Sequence, residues 1–396
     1  MLIKTEECKH LILLILITDI LMDENLKNNT NYLFNMRLIF TSFFLFFFFL
    51  SNAQINSDHS KVILITLDGL RWQELFSGAD PQLINNKKYV DDTTALKELF
   101  WKSTAKKRRE TLMPFVWNIV AKKGQIHGNR TLGSTMNLTN AYWFSYPGYN
   151  EILTGKSDDE RINSNSKKPN PNKTILEVVN TDSRYKGKVA AFGSWDVFPY
   201  IINESRSKVP VNAGFEEAKG ENLSSNEHYL NKLQKATPSP WNSVRLDVFT
   251  HHYALEYLKN NQPDFIYIAY GETDDFAHHG DYDAYLKAAH RTDSFIKELW
   301  EFVENNPYYK DNTTFIITTD HGRGTEPIDT WRSHGRSVNG ADEVWLMTFG
   351  KGVKPLGEIA IKRQLYTNQI AASIAKLFHV DIENAGDELD FILNED

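Results

Sequence analysis

The sequence predicts an α/β fold, in which a doubly wound, mostly parallel central sheet carries helices on both faces. Apolar runs of strand length recur along the chain from about Lys61 onward. These runs are continuously apolar rather than alternating, which is typical of strands buried on both faces. Helical patterns lie between them, as a parallel sheet requires. The chain has 396 residues, 41% of them hydrophobic, which suffices for a large core.

Five apolar runs are predicted to be strands, and most of them end in polar residues. In chain order they are KVILITLD, ending at Asp68; KVAAFGSW, ending near Trp195; DFIYIAYGETD, with acidic residues at Glu272 and Asp274; TTFIITTDHG, ending in Asp320 and His321; and EVWLMTFG. A one-sided apolar stripe between the third and fourth strands predicts a helix, and it consists of Tyr285, Ala288, Thr292, Phe295, Leu299 and Phe302.

Two stretches interrupt this alternation. Residues 156–172 are polar and rich in turn formers, so they are predicted to form a surface loop. Residues 206–233 look irregular and are interpreted as a lid or an insertion. The sequence shows neither an internal repeat nor a linker, so residues 54–396 are predicted to form a single catalytic domain.

The N-terminal 53 residues are predicted to be a pre-sequence. Residues 36–53 have the pattern of a signal peptide: Met36 and the basic Arg37, an apolar run, and small residues before a cleavage point after Ala53. The apolar run is shorter than the about 20 residues of a membrane span, so an uncleaved anchor is the weaker alternative. We interpret Met36 as the translation start; the alternative is that residues 1–35 contribute to a two-segment membrane hairpin.

Charge and cysteine content exclude several classes of protein. The net charge of −7 does not indicate a nucleic-acid-binding surface. The only cysteine, Cys8, lies in the predicted pre-sequence. A mature chain without cysteine has no disulfide, no cysteine nucleophile and no thiolate metal ligand.

The stretch YWFSYPGYNEILTG, residues 142–155, places one serine, Ser145, among aromatic residues. Serine before Pro147 and a short apolar run is typical of a helix start, and Gly155 is typical of a helix end. This local pattern favours a helix-cap serine. A helix N-terminus also attracts anions, because its first N–H groups are unpaired and the helix dipole is positive there. The local pattern therefore leaves two roles open for Ser145, helix-cap residue and catalytic nucleophile.

Acidic and histidine side chains follow the predicted strands, at the sheet edge where open α/β folds bind ligands. They are Asp68, Asp274, His278, Asp320, His321 and, a little later, His334. Aspartate and histidine without cysteine suit zinc or a similar divalent ion. Asp274 and His278 are four residues apart and would share one face of a helical turn. Asp275 and His279 are the alternatives one residue further on.

The order of these motifs resembles the alkaline phosphatase superfamily and, within it, the nucleotide pyrophosphatase/phosphodiesterase branch. The resemblance spans about Lys61 to Phe349. It is carried by Asp68-Gly69 after the first strand, Ser145 before ILTG, Asp274-x-x-x-His278, Asp320-His321-Gly322 and the late His334. It implies an alkaline phosphatase-like fold with two divalent metal ions, preferably zinc, with magnesium, manganese or calcium as alternatives.

The resemblance also implies a role for each residue. Asp68, Ser145, Asp320 and His321 are implied to hold one ion, and Asp274, His278 and His334 the other. Ser145 is implied as a nucleophile that forms a seryl-phosphate, and two ions about 4 Å apart can clamp the attacking and leaving oxygens. The implied substrate is a small-molecule phosphate ester, and the activity that of a phosphodiesterase, nucleotide pyrophosphatase or phosphomonoesterase. The sequence leaves the oligomeric state open.

The sequence departs from these relatives around the nucleophile. Many phosphodiesterase relatives have threonine followed by FPN, where this chain has Ser145-Tyr146-Pro147-Gly148. Sulfatases of the superfamily need C/S-x-P-x-R, and here Tyr149 replaces the arginine. A sulfatase-like hydrolase and a non-catalytic binding protein that keeps the fold are the alternatives. Candidates for holding the non-bridging phosphoryl oxygens are Asn137, Asn140 and Asn150.

We expect the protein to be exported, either periplasmic or secreted, with no stable membrane anchor after signal cleavage. N-terminal sequencing of protein from the extracytoplasmic fraction should therefore begin near Gln54. A mature protein that retains residues 1–35 would contradict this expectation.

Overall fold

The computed structural model describes residues 60–383 and 385–389, and its central element is an eight-stranded sheet. The described ranges contain ten strands, eight in this sheet and two in a separate pair. They are β1 (Lys61–Leu67), β2 (Gly124–His127), β3 (Ser134–Asn137), β4 (Val189–Gly193), β5 (Val211–Ala213), β6 (Phe265–Tyr270), β7 (Thr313–Thr318), β8 (Leu346–Gly350), β9 (Gly357–Glu358) and β10 (Arg363–Tyr366). The predictions on residues 1–53 lie outside the described residues.

Helices connect these strands. The α-helices are α1 (Trp72–Ser77), α2 (Thr93–Phe100), α3 (Ala105–Leu112), α4 (Ala121–Lys123), α5 (Ser145–Thr154), α6 (Ile175–Thr181), α7 (Phe198–Ile201), α8 (Glu204–Ser207), α9 (Ser225–Ala236), α10 (Asp247–Asn261), α11 (Glu272–His279), α12 (Tyr282–Asn305) and α13 (Gln369–Phe378). A π-helical turn spans Val116–Val120, and 3-10 turns span Arg130–Leu132 and Ile328–Arg332. None of the helices in the described ranges is long and apolar enough to cross a membrane.

The main sheet has the strand order β5-β4-β6-β1-β7-β8-β2-β9. Strand β1 pairs in parallel with β6 on one side and with β7 on the other. Strand β8 runs antiparallel to both of its neighbours, β7 and β2. The remaining pairs are parallel, so the predicted mostly parallel α/β sheet is confirmed. Strands β3 and β10 form a separate parallel pair.

Both faces of the main sheet are covered, as the continuous apolar runs predicted. All seven residues of β1 are buried. Ile63 belongs to the core that includes Leu286 of α12, whereas the next residue, Leu64, belongs to the core that includes Ile152 of α5. Because successive strand side chains point to opposite faces, burial of every residue requires helices on both sides.

The structure differs from the sequence-based predictions in the region of residues 206–233. This region is not wholly irregular, because it contains β5, which extends the main sheet, and most of α9. The three residues of β5 are too short a run to be recognised by periodicity. Residues 156–172 contain no helix or strand, so the predicted surface loop is confirmed.

The strand order places three polar strand ends side by side. Strands β6, β1 and β7 are neighbours with the same direction. Their carboxyl ends therefore meet at one edge, with β1 in the middle. Asp68 follows β1, Asp274 lies just beyond β6 and Asp320 just beyond β7. Residues separated by about 250 positions in sequence are thus brought together by pairing alone.

Helix α5 lies against the end of β7 because Gly148 has no side chain. A Cβ atom at this position would lie 2.1 Å from the backbone oxygen of Asp320. Glycine thus allows the helix that carries Ser145 to reach the strand end that carries Asp320.

Gly148→Ala should therefore destabilise the fold by about 2 kcal/mol or more, since the backbone on both sides would have to move. Gly187→Ala is the matched control: it has φ 77° but nothing within 4 Å of its Cβ position, so only a backbone cost of about 1 kcal/mol is expected. Urea denaturation of both variants measures the difference. Equal losses would contradict the packing argument.

Candidate metal centre

Ser145 is the first residue of helix α5, and it is not the cap residue that the local pattern favoured. The N-cap is Phe144, and no side chain caps this helix. The turn before it is held by Asn140, whose Oδ1 accepts hydrogen bonds from the backbone N–H groups of Tyr142 and Trp143. Trp143 has φ 53°. The Ser145 hydroxyl is therefore free of a capping role, and its Oγ lies 3.4 Å from His321 Nε2.

Asp68, Asp320 and His321 form the first half-site of the centre. All three are buried. His321 Nε2 lies 3.3 Å from Asp68 Oδ1 and 3.5 Å from Asp320 Oδ2. His321 Nδ1 lies 2.9 Å from the Gly322 carbonyl oxygen, which can only accept, so Nδ1 carries the proton and donates it there. The Nε2 lone pair then faces the two carboxylate oxygens.

These two carboxylate oxygens have no hydrogen-bond donor among the described residues. Asp68 Oδ1 and Asp320 Oδ2 are both buried and unpartnered. The other oxygen of each carboxylate is satisfied: Asp68 Oδ2 accepts from the Tyr149 hydroxyl at 2.8 Å, and Asp320 Oδ1 accepts from Gly69 N at 3.1 Å. Acceptor atoms that converge without a donor are what a bound cation requires, so these residues fit a divalent metal ion.

Asp274, His278 and His334 form the second half-site. Asp274 and His278 lie on helix α11, so the predicted helical turn with both side chains on one face is confirmed. His278 Nε2 lies 3.2 Å from Asp274 Oδ2 and 2.9 Å from His334 Nε2. The alternative residues Asp275 and His279 are not in this group, because His279 Nδ1 bonds the Asp275 carbonyl oxygen instead.

The two half-sites adjoin through His321. Its Nε2 lies 3.7 Å from Asp274 Oδ1, and its ring stacks on that of His334 with 3.9 Å between the ring centroids. All seven predicted ligands, Ser145 included, are thus brought into one cluster, in which the first half-site is buried and the His278 side chain of the second is 45% exposed. This cluster offers oxygen and imidazole donors in the proportions that zinc accepts.

The protonation of the carboxylates reflects their crowding. Burial, followed by repulsion from neighbouring carboxylates, raises the pKa of Asp68 and of Asp320 well above the usual range. Burial also raises the pKa of Asp275, with the neighbouring Asp274 adding to it, to about 8. Asp274 is the exception: burial alone would raise its pKa, but Arg323 and His278 hold it well below the usual value.

Arg323 is a member of the centre that the sequence analysis missed. It follows Asp320-His321-Gly322 directly, and its side chain is fully buried. Its Nη2 donates to the carboxylate and the backbone oxygen of Asp274, and its Nε donates to the Gly69 carbonyl oxygen at 3.1 Å. The sequence signal that could have identified Arg323 is its position directly after the predicted metal ligands Asp320 and His321.

None of the three asparagines proposed to hold phosphoryl oxygens is available for that role. Asn137 bonds Arg130 and Asp342, and Asn140 bonds Glu151 and holds the turn before Ser145. Asn150 bonds a backbone carbonyl and two other asparagines. These partners give each of them a structural role.

A different asparagine lies beside helix α5. Asn165 Oδ1 accepts a hydrogen bond from Tyr146 N at 2.9 Å, and its Nδ2 makes no hydrogen bond within the described ranges. It lies in the loop predicted at residues 156–172, which offers no periodic signal. Pro147 has no N–H, so the first turn of α5 keeps few free backbone donors.

One further cluster of potential ligands consists of His251, His252 and Glu298. The buried Tyr270 hydroxyl lies 2.9 Å from His251 Nδ1, and Glu298 Oε2 lies 2.9 Å from His251 Nε2. If the phenol donates to Nδ1 and Nε2–H donates to the carboxylate, every group is satisfied. These contacts give His251 a structural role.

Comparison with known proteins places this geometry in context. The model of a family described as the Metalloenzyme superfamily matches residues 246–382, which include the second half-site together with Asp320 and His321. The solved alkaline phosphatase PafA superimposes with a TM-score of 0.54 at 11% identity, over 85% of this chain and 99% of that one. The chain therefore has the fold of this alkaline phosphatase.

Other relatives agree at the same level. The phosphonate monoester hydrolase of Silicibacter pomeroyi superimposes with a TM-score of 0.52 at 15% identity, over 84% of this chain and 76% of that one. A 2,3-bisphosphoglycerate-independent phosphoglycerate mutase of Campylobacter jejuni is 29% identical over 119 residues, 30% of this chain and 22% of the mutase. The matched part thus spans about a fifth of the curated relatives. The alkaline phosphatase-like fold is confirmed, whereas the nucleotide pyrophosphatase/phosphodiesterase branch stays a prediction.

The unpartnered oxygen of Asp320 gives a stability prediction for this alkaline phosphatase-like chain. Burial raises the pKa of the Asp320 carboxyl in the folded protein, so the stability of the metal-free protein falls as pH rises above the pKa of this group in the unfolded chain. Asp320→Asn keeps the acceptor for Gly69 N and gives His321 Nε2 a donor. We expect it to raise the melting temperature of the metal-free protein and to reduce the further rise that zinc produces.

Asp293→Asn is the control, because the oxygens of this buried carboxylate accept from Phe115 N and Val116 N at 2.8 and 2.9 Å. Here the amide would place an N–H against a backbone N–H, so the melting temperature should fall. Thermal unfolding of both variants after exhaustive chelation tests this. If the melting temperature of Asp320→Asn also falls, the Asp320 carboxyl does not destabilise the metal-free protein.

Proposed function

We propose that this protein is a metal-dependent hydrolase of phosphate esters that acts through a seryl-phosphate on Ser145. One observation carries the proposal: the Ser145 hydroxyl is not used as a helix cap and points at His321, beside both half-sites. A serine kept only to start the helix would use its hydroxyl to satisfy a backbone N–H.

The ligands support two divalent ions, with zinc the best match to this donor set. Asp68, Asp320, His321 and Ser145 would hold one ion, and Asp274, His278 and His334 the other. When bound, the ions supply the positive charge that lowers the pKa of the serine hydroxyl and balances the charge of the transition state.

The protein's own residues perform the remaining steps. Ser145 Oγ attacks phosphorus, the new O–P bond forms as the ester oxygen leaves, and water then releases phosphate from the serine. Tyr149 holds the Asp68 carboxylate by its hydroxyl, and Gly69 N holds that of Asp320. These bonds fix the orientation of the ligand oxygens before substrate arrives.

We further propose that Asn165 donates its side-chain amide to a non-bridging oxygen of the phosphoryl group. The bond from Tyr146 N to its Oδ1 fixes which end of the amide faces outward. Nδ2 is then a free donor beside the first turn of α5. It replaces the backbone donors that the first turn of α5 lacks.

The substrate class within phosphate esters is also a proposal. A small-molecule phosphodiester, pyrophosphate or phosphomonoester is proposed, with a sulfate ester as the alternative. The position at which sulfatases need arginine is occupied here by Tyr149, which is buried and bonded to Asp68. The mutase activity of the Campylobacter relative is not proposed, because the match covers 22% of that protein. Export to the periplasm or the medium is proposed from the signal-peptide pattern.

Ser145→Ala tests the proposal. It should reduce kcat by several orders of magnitude, because a missing nucleophile cannot be replaced by positioning. Metal binding should largely persist, since Asp68, Asp320 and His321 remain. Ser145→Thr should keep part of the activity, because it retains a hydroxyl nucleophile. The measurement is kcat on p-nitrophenyl phosphate, bis-p-nitrophenyl phosphate and p-nitrophenyl sulfate, with and without chelator.

The substrate panel separates the alternatives. Hydrolysis of sulfate alone would favour the sulfatase-like alternative, and no hydrolysis by zinc-loaded protein would favour a binding protein. A Ser145→Ala variant with near-normal kcat would exclude Ser145 as the nucleophile.

A further inference from the structure

The two half-sites differ in their fixed charge because of Arg323. The first half-site combines two carboxylates, Asp68 and Asp320, with one imidazole. No lysine or arginine forms an ion pair with either carboxylate in the part of the chain that the structure describes. The second half-site has one carboxylate, Asp274, and that carboxylate is paired with Arg323. Formal charges are therefore about −2 and about 0.

Arg323 cannot move away from Asp274 at low cost. Its side chain is fully buried, so no solvent-exposed alternative position is at hand. Its Nε donates to the Gly69 carbonyl oxygen, and its Nη2 also donates to the Asp274 carbonyl oxygen. An arginine guanidinium carries its positive charge throughout in proteins. It is thus a permanent cation in the centre.

The pairing also places the Arg323 charge at an oxygen of Asp274 that faces the centre. Oδ1 accepts from Nη2 and lies 3.7 Å from Nε2 of both His321 and His334, whereas Oδ2 lies 3.2 Å from His278 Nε2. A donor set with no net charge binds a divalent ion less strongly than a set with two ionised carboxylates.

We propose that Arg323 makes the second half-site a weak, exchangeable ion site, while the first half-site binds its ion tightly. This inference rests on the proposed two-ion function and specifies how that function is regulated. At low free zinc the protein would hold one ion, and hydrolysis would then follow occupancy of the second half-site. Activity would depend on the free zinc concentration and not only on substrate.

Two effects of Arg323 on the second ion oppose each other, and their sizes can be compared. Its hydrogen bonds orient Asp274, which favours the ion. Its charge repels a divalent ion at close range in a buried site, which disfavours the ion. Coulomb repulsion that involves a double charge exceeds the net value of a hydrogen bond at such distances. Removing the charge while keeping a donor should therefore strengthen binding of the second ion.

The test is competitive zinc titration of the full mature chain against a chelator of known affinity. The wild-type protein should show two dissociation constants that differ by at least about a hundredfold. Arg323→Gln, which keeps a hydrogen-bond donor, should lower the weaker constant by at least about tenfold. Arg323→Lys keeps the charge and should leave the weak site weak. His278→Ala should remove the weak class and leave the tight one.

Arg109→Gln is the matched control, because Arg109 forms a bidentate pair with Glu358 outside the centre, with distances of 2.7 and 2.8 Å. Neither zinc constant should change in this variant. Two equal constants in the wild type, or a weaker second constant in Arg323→Gln, would overturn the inference. If the Arg323→Gln variant does not fold, the inference is judged from the two dissociation constants of the wild-type protein alone. A wild-type protein that binds no zinc would instead contradict the proposed function.

Discussion

Three buried acceptor atoms face one another in the first half-site without a hydrogen-bond donor, and the contacts of the surrounding residues compensate for this. His321 Nε2 lies within 3.5 Å of both Asp68 Oδ1 and Asp320 Oδ2. No residue in the described ranges donates a hydrogen bond to either oxygen. Burying ionised carboxylates without a partner is costly. A divalent cation at this point removes the cost, so the fold and the metal are expected to be thermodynamically linked.

The chain compensates for part of this charge by itself. Tyr149 and the backbone N–H of Gly69 each satisfy one carboxylate oxygen, and Arg323 neutralises Asp274. The bonds to Asp68 and Asp320 each use one carboxylate oxygen and leave the other toward the centre. The protein thus fixes the orientation of its ligands while it keeps the positions for ions unpaired.

The position of Ser145, the proposed nucleophile, depends on the same edge of the sheet. Gly148 lets helix α5 approach the backbone of Asp320, and this approach places Ser145 Oγ beside His321. The turn that precedes the helix is held by Asn140 and has Trp143 at φ 53°. A backbone conformation uncommon for a bulky residue is often found next to a functional group, where the surrounding contacts enforce it.

The α/β class, the five long strands and the acidic and histidine residues after three of them could be predicted from the sequence. This was possible because a strand covered on both faces must be apolar at every position, and because strand ends leave the core. Tertiary structure decided the rest. That Ser145 is not a cap residue depends on the turn before it, and the roles of Arg323 and Asn165 depend on contacts with Gly69, Asp274 and Tyr146. The pairing of β1 with β7 brings Asp68 beside Asp320, about 250 residues away in sequence. Such a pairing cannot be predicted from local periodicity.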